Sequence, residues 1–277
     1  MKITEIIKDA FLFPSKNTGR YAIYLLLSVL VSLFALGGVF TYILGIIDAE
    51  NYLTGGIYII ISLLILIIIS GYHIKIIKSG INLDDNVPVF ELFEDFMTGF
   101  DNFIVLMFYM LIPTLIVALV GLDTNIFGKA IALGQEIVLQ VFNVFIMGNS
   151  ANIAVNAISN ALNNLMGSLA VTIIAALVLY VIFGFILSMA ESRLANTGSL
   201  KEALNIFETI KDITRIGAGK VILVILLVFI LIIILEIILT FILNRYPFLL
   251  TTFGIIITPY FILVTQRAIG LLYSDIT

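Results

Sequence analysis

The sequence predicts an all-α, polytopic helical membrane protein of about six transmembrane helices, with additional amphipathic helices at the interface. Three observations lead there. Of 277 residues, 61% are hydrophobic and 12% charged, and the mean hydropathy is +1.20, against about 45–50% apolar and about 25% charged in a soluble domain. Several runs exceed the roughly 18 nearly uncharged residues that mark a transmembrane helix. These runs are continuous rather than alternating, which favours helices over a closed barrel, the other structure that satisfies every backbone polar group in lipid.

The six runs cover residues 21–47, 55–77, 103–122, 169–190, 221–243 and 248–271. Cations order them. Lys2, Lys8, Lys16 and Arg20 precede the first run, Lys75 and Lys78 close the second, Arg193, Lys201, Lys211, Arg215 and Lys220 follow the fourth, and Arg267 lies at the end of the sixth. Of 14 Lys and Arg, only Lys129 and Arg245 fall on the other side. The positive-inside rule therefore predicts a multi-pass protein of the cytoplasmic (plasma) membrane with both termini in the cytoplasm. Residues 1–10 have neither a long apolar core nor a small-residue cleavage site before Tyr21, and read as mature sequence rather than a signal peptide.

Between the third and fourth runs, residues 128–148 are apolar enough to enter the membrane but are interrupted by Gln135, Glu136, Gln140 and Asn143. A crossing there requires a compensating one nearby, so an outer-surface or re-entrant helix is preferred over a span. Next, residues 149–164 form an uncharged amphipathic helix, with Asn152, Asn156, Asn160 and Asn163 on one face and Val155, Ile158, Leu162 and Leu165 on another. The Asn face either meets water at the interface or lines a polar cavity. On the cytoplasmic side, residues 88–101 place Val89, Leu92, Phe93, Phe96, Met97 and Phe100 on an apolar face and Glu91, Glu94, Asp95 and Asp101 away from it. Asp84, Asp85 and Asn86 stand where capping groups belong before a first-turn Pro88. Glu91, Glu94, Asp95 and Arg193 form a candidate docking face if the acidic helix meets the basic fourth loop.

The whole chain reads as a single membrane domain, residues 1–277, within which three units of amphipathic helix plus hairpin are discernible at 1–80, 81–198 and 199–277. Glu5-Ile-Ile-Lys-Asp9 precedes the first run and Glu208-Thr-Ile-Lys-Asp212 the fifth. The returning runs end in Lys75 with Gly80, Arg193 with Gly198, and Arg267 with Gly270. Such units share one orientation, unlike the inverted repeats of many secondary transporters.

Ser70-Gly-Tyr-His-Ile-Lys-Ile-Ile-Lys-Ser-Gly80, Val87-Pro-Val-Phe-Glu-Leu-Phe-Glu-Asp95, Gly99, Tyr109-Met-Leu-Ile-Pro113 and Glu191-Ser-Arg-Leu-Ala-Asn-Thr-Gly-Ser-Leu-Lys-Glu-Ala203 together form a distinctive order. It resembles the prokaryotic, largely archaeal membrane family catalogued as the domain of unknown function numbered 4013, over about residues 21–273. Val89 intervenes before the aromatic that usually follows the proline, and Leu194 replaces the usual Tyr after the Arg. The resemblance implies a multi-pass membrane protein without an established activity.

Candidate chemistry is sparse. The chain has no Cys and one His, which excludes disulfides, thiolate catalysis and imidazole clusters. No cofactor or metal is expected. The formal charge of −4 and pI near 5.0 offer nucleic acid no basic surface, and the expected partners are the lipid bilayer and either a protein partner or a second copy of the chain. Glu236, inside the fifth run, is the candidate intramembrane polar site, because an ionisable group in a span is a functional hypothesis by default. Its structural alternative is a satisfied or protonated group near the edge of the apolar core. Pro113 and Pro259 are expected to kink their helices. His73 fits an interfacial position. Arg215-Ile-Gly-Ala-Gly-Lys-Val221 lacks the spacing and the final Ser or Thr of a phosphate loop, and reads as a joint. No hydrolytic motif is present, so the leading expectation is a non-enzymatic scaffold or accessory membrane subunit. The alternative is a transporter of a lipid-like or small polar molecule that uses Glu236, the Asn face and the two prolines.

Overall fold

The structure, a computed structural model, describes the chain except residues 46–49 and 148–150, and describes the backbone alone at 151–154, 247, 250 and 251. Among the described residues there is no strand. The helices in order are α1 (Ile3–Leu12), α2 (Thr18–Leu44), α3 (Glu50–Ile81), α4 (Leu92–Asp123), α5 (Ile126–Phe145), α6 (Ala151–Thr197), α7 (Leu200–Ala203), α8 (Ile206–Ile216), α9 (Ala218–Leu243) and α10 (Pro247–Tyr273), with a 3₁₀ turn at Phe13–Lys16. Six of them, α2, α3, α4, α6, α9 and α10, are long and apolar enough to cross a membrane.

Local chemistry explains several ends. Asn17 caps α2, its side-chain oxygen accepting the Arg20 N–H at 3.1 Å, and Asn205 caps α8 through the Glu208 N–H at 3.2 Å. A single residue, Gly217, joins α8 to α9 at φ 100°, a conformation that side chains rarely adopt. This is the joint anticipated at residues 215–221.

Two expectations are corrected. The acidic amphipathic stretch is not a separate interfacial helix beginning at Pro88. Residues 88–91 are non-helical, and from Leu92 the amphipathic turns run without a break into the third span as α4. Nothing between Asp101 and Phe103 interrupts the backbone ladder, and Asp95 closes the first turn by accepting the Glu91 N–H at 2.8 Å. Likewise the Asn-bearing stretch and the fourth span are one helix, α6, of 47 residues. At ~1.5 Å per residue this is about 70 Å, over twice a ~30 Å hydrocarbon core. Residues 128–148 fall largely within α5, a helix without a buried residue, and α5 is not among the six spanning candidates.

The chain forms two compact units, Met1–Met107 with Phe185–Thr277, and Phe108–Gly184. In the first, α3 packs against α2 and α10, and α10 against α1 and α9. Its core includes Phe13, Tyr24, Tyr72, Ile76 and Leu263, with the Tyr72 and Phe90 rings stacked at 3.7 Å. Apolar side chains elsewhere point outward, Phe241 to 85% exposure; on spanning helices that surface belongs in lipid.

Polar residues, in turn, point inward. At the start of α4, Asp95 is 0% exposed whereas Phe93 is 75% exposed; on α8, Asp212 is 1% and Phe207 80% exposed. Close backbone approach makes the first inversion feasible. A Cβ on Gly71 would lie 1.8 Å from the Asp95 carbonyl oxygen, and one on Gly99 would lie 1.8 Å from that of Ile67. Gly71→Ala and Gly99→Ala are therefore each expected to force α3 and α4 apart and to destabilise by about 1–3 kcal/mol. Gly219→Ala, with open space around it, should stabilise by roughly 0.5–1 kcal/mol. Thermal unfolding of the three variants in one detergent tests the ordering.

Candidate functional site

Three inward aspartates organise one face of the first unit, each held by a cation from the end of a spanning helix. At the end of α10, Arg267 is 1% exposed. Its Nε donates to Asp9 Oδ1 at 2.8 Å, and its Nη1 donates to Ser79 Oγ at 3.1 Å and the Asp84 carbonyl at 2.7 Å. The guanidinium also lies 4.2 Å from the Phe13 ring centroid. Near the end of α3, Lys75 Nζ stands 2.8 Å from Asp95, 2.9 Å from Glu91 and 3.4 Å from Glu94. Near the end of α6, Arg193 reaches Asp212 at 2.7 Å and Glu202 at 2.8 Å, while Arg215 and the Tyr273 hydroxyl complete the Asp212 carboxylate at 2.9 and 2.8 Å.

Around this core, Lys16 bridges Asp9 and Asp85 at 3.2 and 2.6 Å. Burial lowers the Lys16 pKa, but hydrogen bonds to Asp85 and Asp9 outweigh it and raise the net value. The hydrogen bond from Lys16 holds the Asp85 carboxyl below the usual range. The chain ends are tied as well: the N-terminal ammonium contacts Asp275 at 2.7 Å, and Lys220 contacts both Asp275 and the Met1 carbonyl. Of the candidate docking residues, Glu91, Glu94 and Asp95 therefore share Lys75, and Arg193 is engaged by its own loop.

Glu236 has a different environment. It lies eight residues before Asn244, the C-cap of α9, about 12 Å along the axis at ~1.5 Å per residue. It is exposed, and among the described residues it has no ion-pair or hydrogen-bond partner. It fronts two cavities. One, of about 280 Å³ between α9 and α10, is lined by Glu236, Leu239, Thr240, Phe253, Ile257 and Thr258. The other, of about 510 Å³, adds Ile233, Phe241 and Asn244. A carboxylate and threonine hydroxyls thus meet an apolar wall.

Both prolines lie within continuous helices. Pro259 follows Thr258 and withdraws the N–H that would pair with the Ile255 carbonyl; the Tyr21 hydroxyl donates to the adjacent Ile256 carbonyl. In the second unit, the Thr114 hydroxyl beside Pro113 donates to the Met110 carbonyl at 2.7 Å and lies 2.8 Å from the Tyr180 hydroxyl. Asn156, Asn160 and Asn163 are exposed on α6, and Asn163 lines a separate polar cavity; the Asn152 side chain lies outside the described residues. His73 Nε2 lies 2.8 Å from the hydroxyl of buried Tyr24.

Sequence reasoning missed one polar cluster. Asn102 Nδ2 donates to Ser70 Oγ at 2.8 Å and to Glu191 Oε1 at 3.5 Å, joining α4, α3 and α6. Its signal is faint: one polar residue near the same end of each of three spans.

The family model described as "Protein of unknown function (DUF4013)" matches residues 54–244. The chain belongs to this family. No curated protein and no solved structure matches it. The DUF4013 match runs from α3 to α9, so it includes the Lys75–Asp95 and Arg193–Asp212 pairs and Glu236, while Asp9 and Arg267 lie outside it.

Removing one partner of a buried pair leaves the other uncompensated. Arg267→Met is thus expected to destabilise by on the order of 3 kcal/mol, whereas Lys211→Ala, at a cation 60% exposed, should stay within about 0.5 kcal/mol. Equilibrium unfolding in mixed micelles separates the two. A pH effect follows from Asp275. Burial raises its pKa, but Lys220 and the N-terminal ammonium more than reverse this, leaving it below the ordinary value. A carboxyl depressed on folding contributes stability above its unfolded pKa of about 3.9 and loses it as pH falls through the folded value. Unfolding temperatures between pH 5 and pH 3 should therefore fall more steeply for the wild type than for Asp275→Asn.

Proposed function

We propose that the protein is a transporter of a lipid-like amphiphile whose head group carries an ammonium or another hydrogen-bond donor. The observation that carries this reading is Glu236: a carboxylate inside a spanning helix, paired with no described residue and fronting two cavities. A charge at the centre of a membrane helix costs roughly 2.5–3.5 kcal/mol on insertion scales, and Glu236, about 12 Å from the C-cap of α9, carries part of that cost. An ammonium head group offsets that cost, while Leu239, Phe253 and Ile257 receive the apolar tail. The α10 wall contains Pro259, where a missing hydrogen bond lets the helix bend beside the groove.

In this reading the amphiphile enters from the side, because the groove is formed by two lipid-facing helices. The basic face lies in the cytoplasm, as the distribution of cations argues. Cysteines introduced singly into the naturally Cys-free chain at Thr54 and Asn156 are expected to label from outside the cell, and at Asn82 and Lys201 only after permeabilisation. Outside labelling at Lys201 overturns that orientation.

A second reading, a scaffold or accessory subunit, is favoured by one observation. Three carboxylates meet the single ammonium of Lys75, leaving Glu91 and Glu94 58% and 63% exposed beside the outward Phe93. Native mass spectrometry after gentle extraction from the protein's own membrane discriminates the two. A bound amphiphile retained by the wild type and reduced at least tenfold in Glu236→Gln supports transport. A co-purifying polypeptide retained by Glu236→Gln but lost from the Glu91→Lys, Glu94→Lys double variant supports the scaffold.

A further inference from the structure

The second unit holds a cavity of about 420 Å³ where the C-terminal end of α4 meets α5 and α6, lined by Asp123, Thr124, Lys129, Asn163, Asn164 and Ser168. Its floor is built. Ser168, 4% exposed, donates to the Thr124 carbonyl at 3.0 Å and accepts from Lys129 Nζ at 2.6 Å. The Thr172 hydroxyl, in turn, donates to the Ser168 carbonyl at 2.9 Å. The Lys129 ammonium is thereby anchored at the cavity with two of its three N–H groups left over.

Lys129 and Asp123 carry opposite charges around one cavity, yet they form no ion pair with each other, and neither forms an ion pair with any other described residue. Asp123 is exposed. Lys16 and Lys75 of the first unit, by contrast, close onto carboxylates. Here Lys129 is held by a serine instead, so the positive and negative groups remain separate. The amides of Asn163 and Asn164 add donors and acceptors between them.

We propose that this cavity binds a small zwitterion, with Lys129 receiving its anionic group, Asp123 its ammonium, and the two asparagines fixing its orientation. A ligand with both charges satisfies both side chains together, whereas a simple anion or cation satisfies one and leaves the other unmatched. The same chemistry occurs in free amino acids and in the phosphoethanolamine head group of a lipid. The site shares no residue with the Glu236 groove and does not depend on the transport reading.

The test uses the full chain in nanodiscs, with glycine and O-phosphoethanolamine as soluble probes, inorganic phosphate and ethanolamine as single-charge controls, and phosphatidylethanolamine in the bilayer as the lipid source. Calorimetric titration is expected to show at least one zwitterion binding at least tenfold more tightly than either single-charge control. Binding should weaken at least tenfold in both Lys129→Gln and Asp123→Asn, and remain unchanged in Lys211→Ala, at an exposed cation outside both proposed sites. Where a lipid head group is the source, the soluble probes are outcompeted in phosphatidylethanolamine nanodiscs but bind in nanodiscs of phosphatidylglycerol, and native mass spectrometry shows phosphatidylethanolamine retained by the wild type and lost from both variants. The proposal is overturned if neither probe binds and no phosphatidylethanolamine is retained, if phosphate alone binds as tightly as the zwitterions, or if both variants bind as the wild type does. The wild-type probe series decides the matter even if a variant does not fold.

Discussion

Pairing of inward carboxylates constrains the first unit more than any other interaction. Asp95 and Asp212 are almost wholly removed from solvent, and an isolated ionised carboxylate in such a place is very costly. Each is made tenable by a cation at the end of a spanning helix. That requirement fixes where α3 and α6 must end relative to the next amphipathic segment. Arg267 does the same for the N-terminal arm through Asp9. The chain termini are then close enough for Met1, Lys220 and Asp275 to meet. Hydrophobic burial alone could not impose this order, since lipid accommodates an apolar surface as readily as another helix does.

The same constraint turns the usual amphipathic helix around. On α8, Thr209 and Asp212 face inward, and Phe207 and Ile210 outward. In water this arrangement would bury charge and expose aromatic surface at a cost on both faces. At a bilayer interface the outward apolar side chains are solvated by lipid, and the inward aspartate serves as an anchor. The glycines at the crossing of α3 and α4 belong to this logic, because only the absence of Cβ atoms lets the backbones approach closely enough for Lys75 to reach Asp95.

Much of the fold was legible in the sequence because continuous apolar runs report directly on the solvent they require. All six spans were found that way. Helix continuity was less legible: the change of pattern near Phe103 and near Leu169 alters what the helix surface faces, not whether its hydrogen-bond ladder continues. Pro88 was overvalued as a helix start for a related reason, since the turn that closes first is the one in which Asp95 can bond back to Glu91. Charge partners were the least legible part. Composition suggested that the acidic stretch could meet the basic fourth loop, but Lys75 reaches it from α3, and the loop neutralises its own carboxylates around Arg193 and Arg215. Those pairings are tertiary and leave no periodic trace. Glu236 was visible at once as a carboxylate in an apolar run; the cavities beside it arise from α9 and α10 packing and were not.

The contrast among carboxylates bears on function. Asp9, Asp95 and Asp212 all lie near helix ends, and all are paired within the chain. Glu236 lies deeper in its helix and is paired with no described residue. If it served only to tolerate the interface, a position nearer Asn244 would reach water with a shorter side chain and at lower cost. If it served to hold α9 against α10, a hydrogen bond from α10 to the carboxylate would be expected, yet Glu236 accepts none from a described residue, although the Thr258 hydroxyl lines the same wall with Phe253 and Ile257. A lone carboxylate facing a mixed wall is poorly suited to holding two helices together. It is well suited to a ligand that brings its own donor on an apolar body, and that asymmetry makes the groove a site rather than a packing defect.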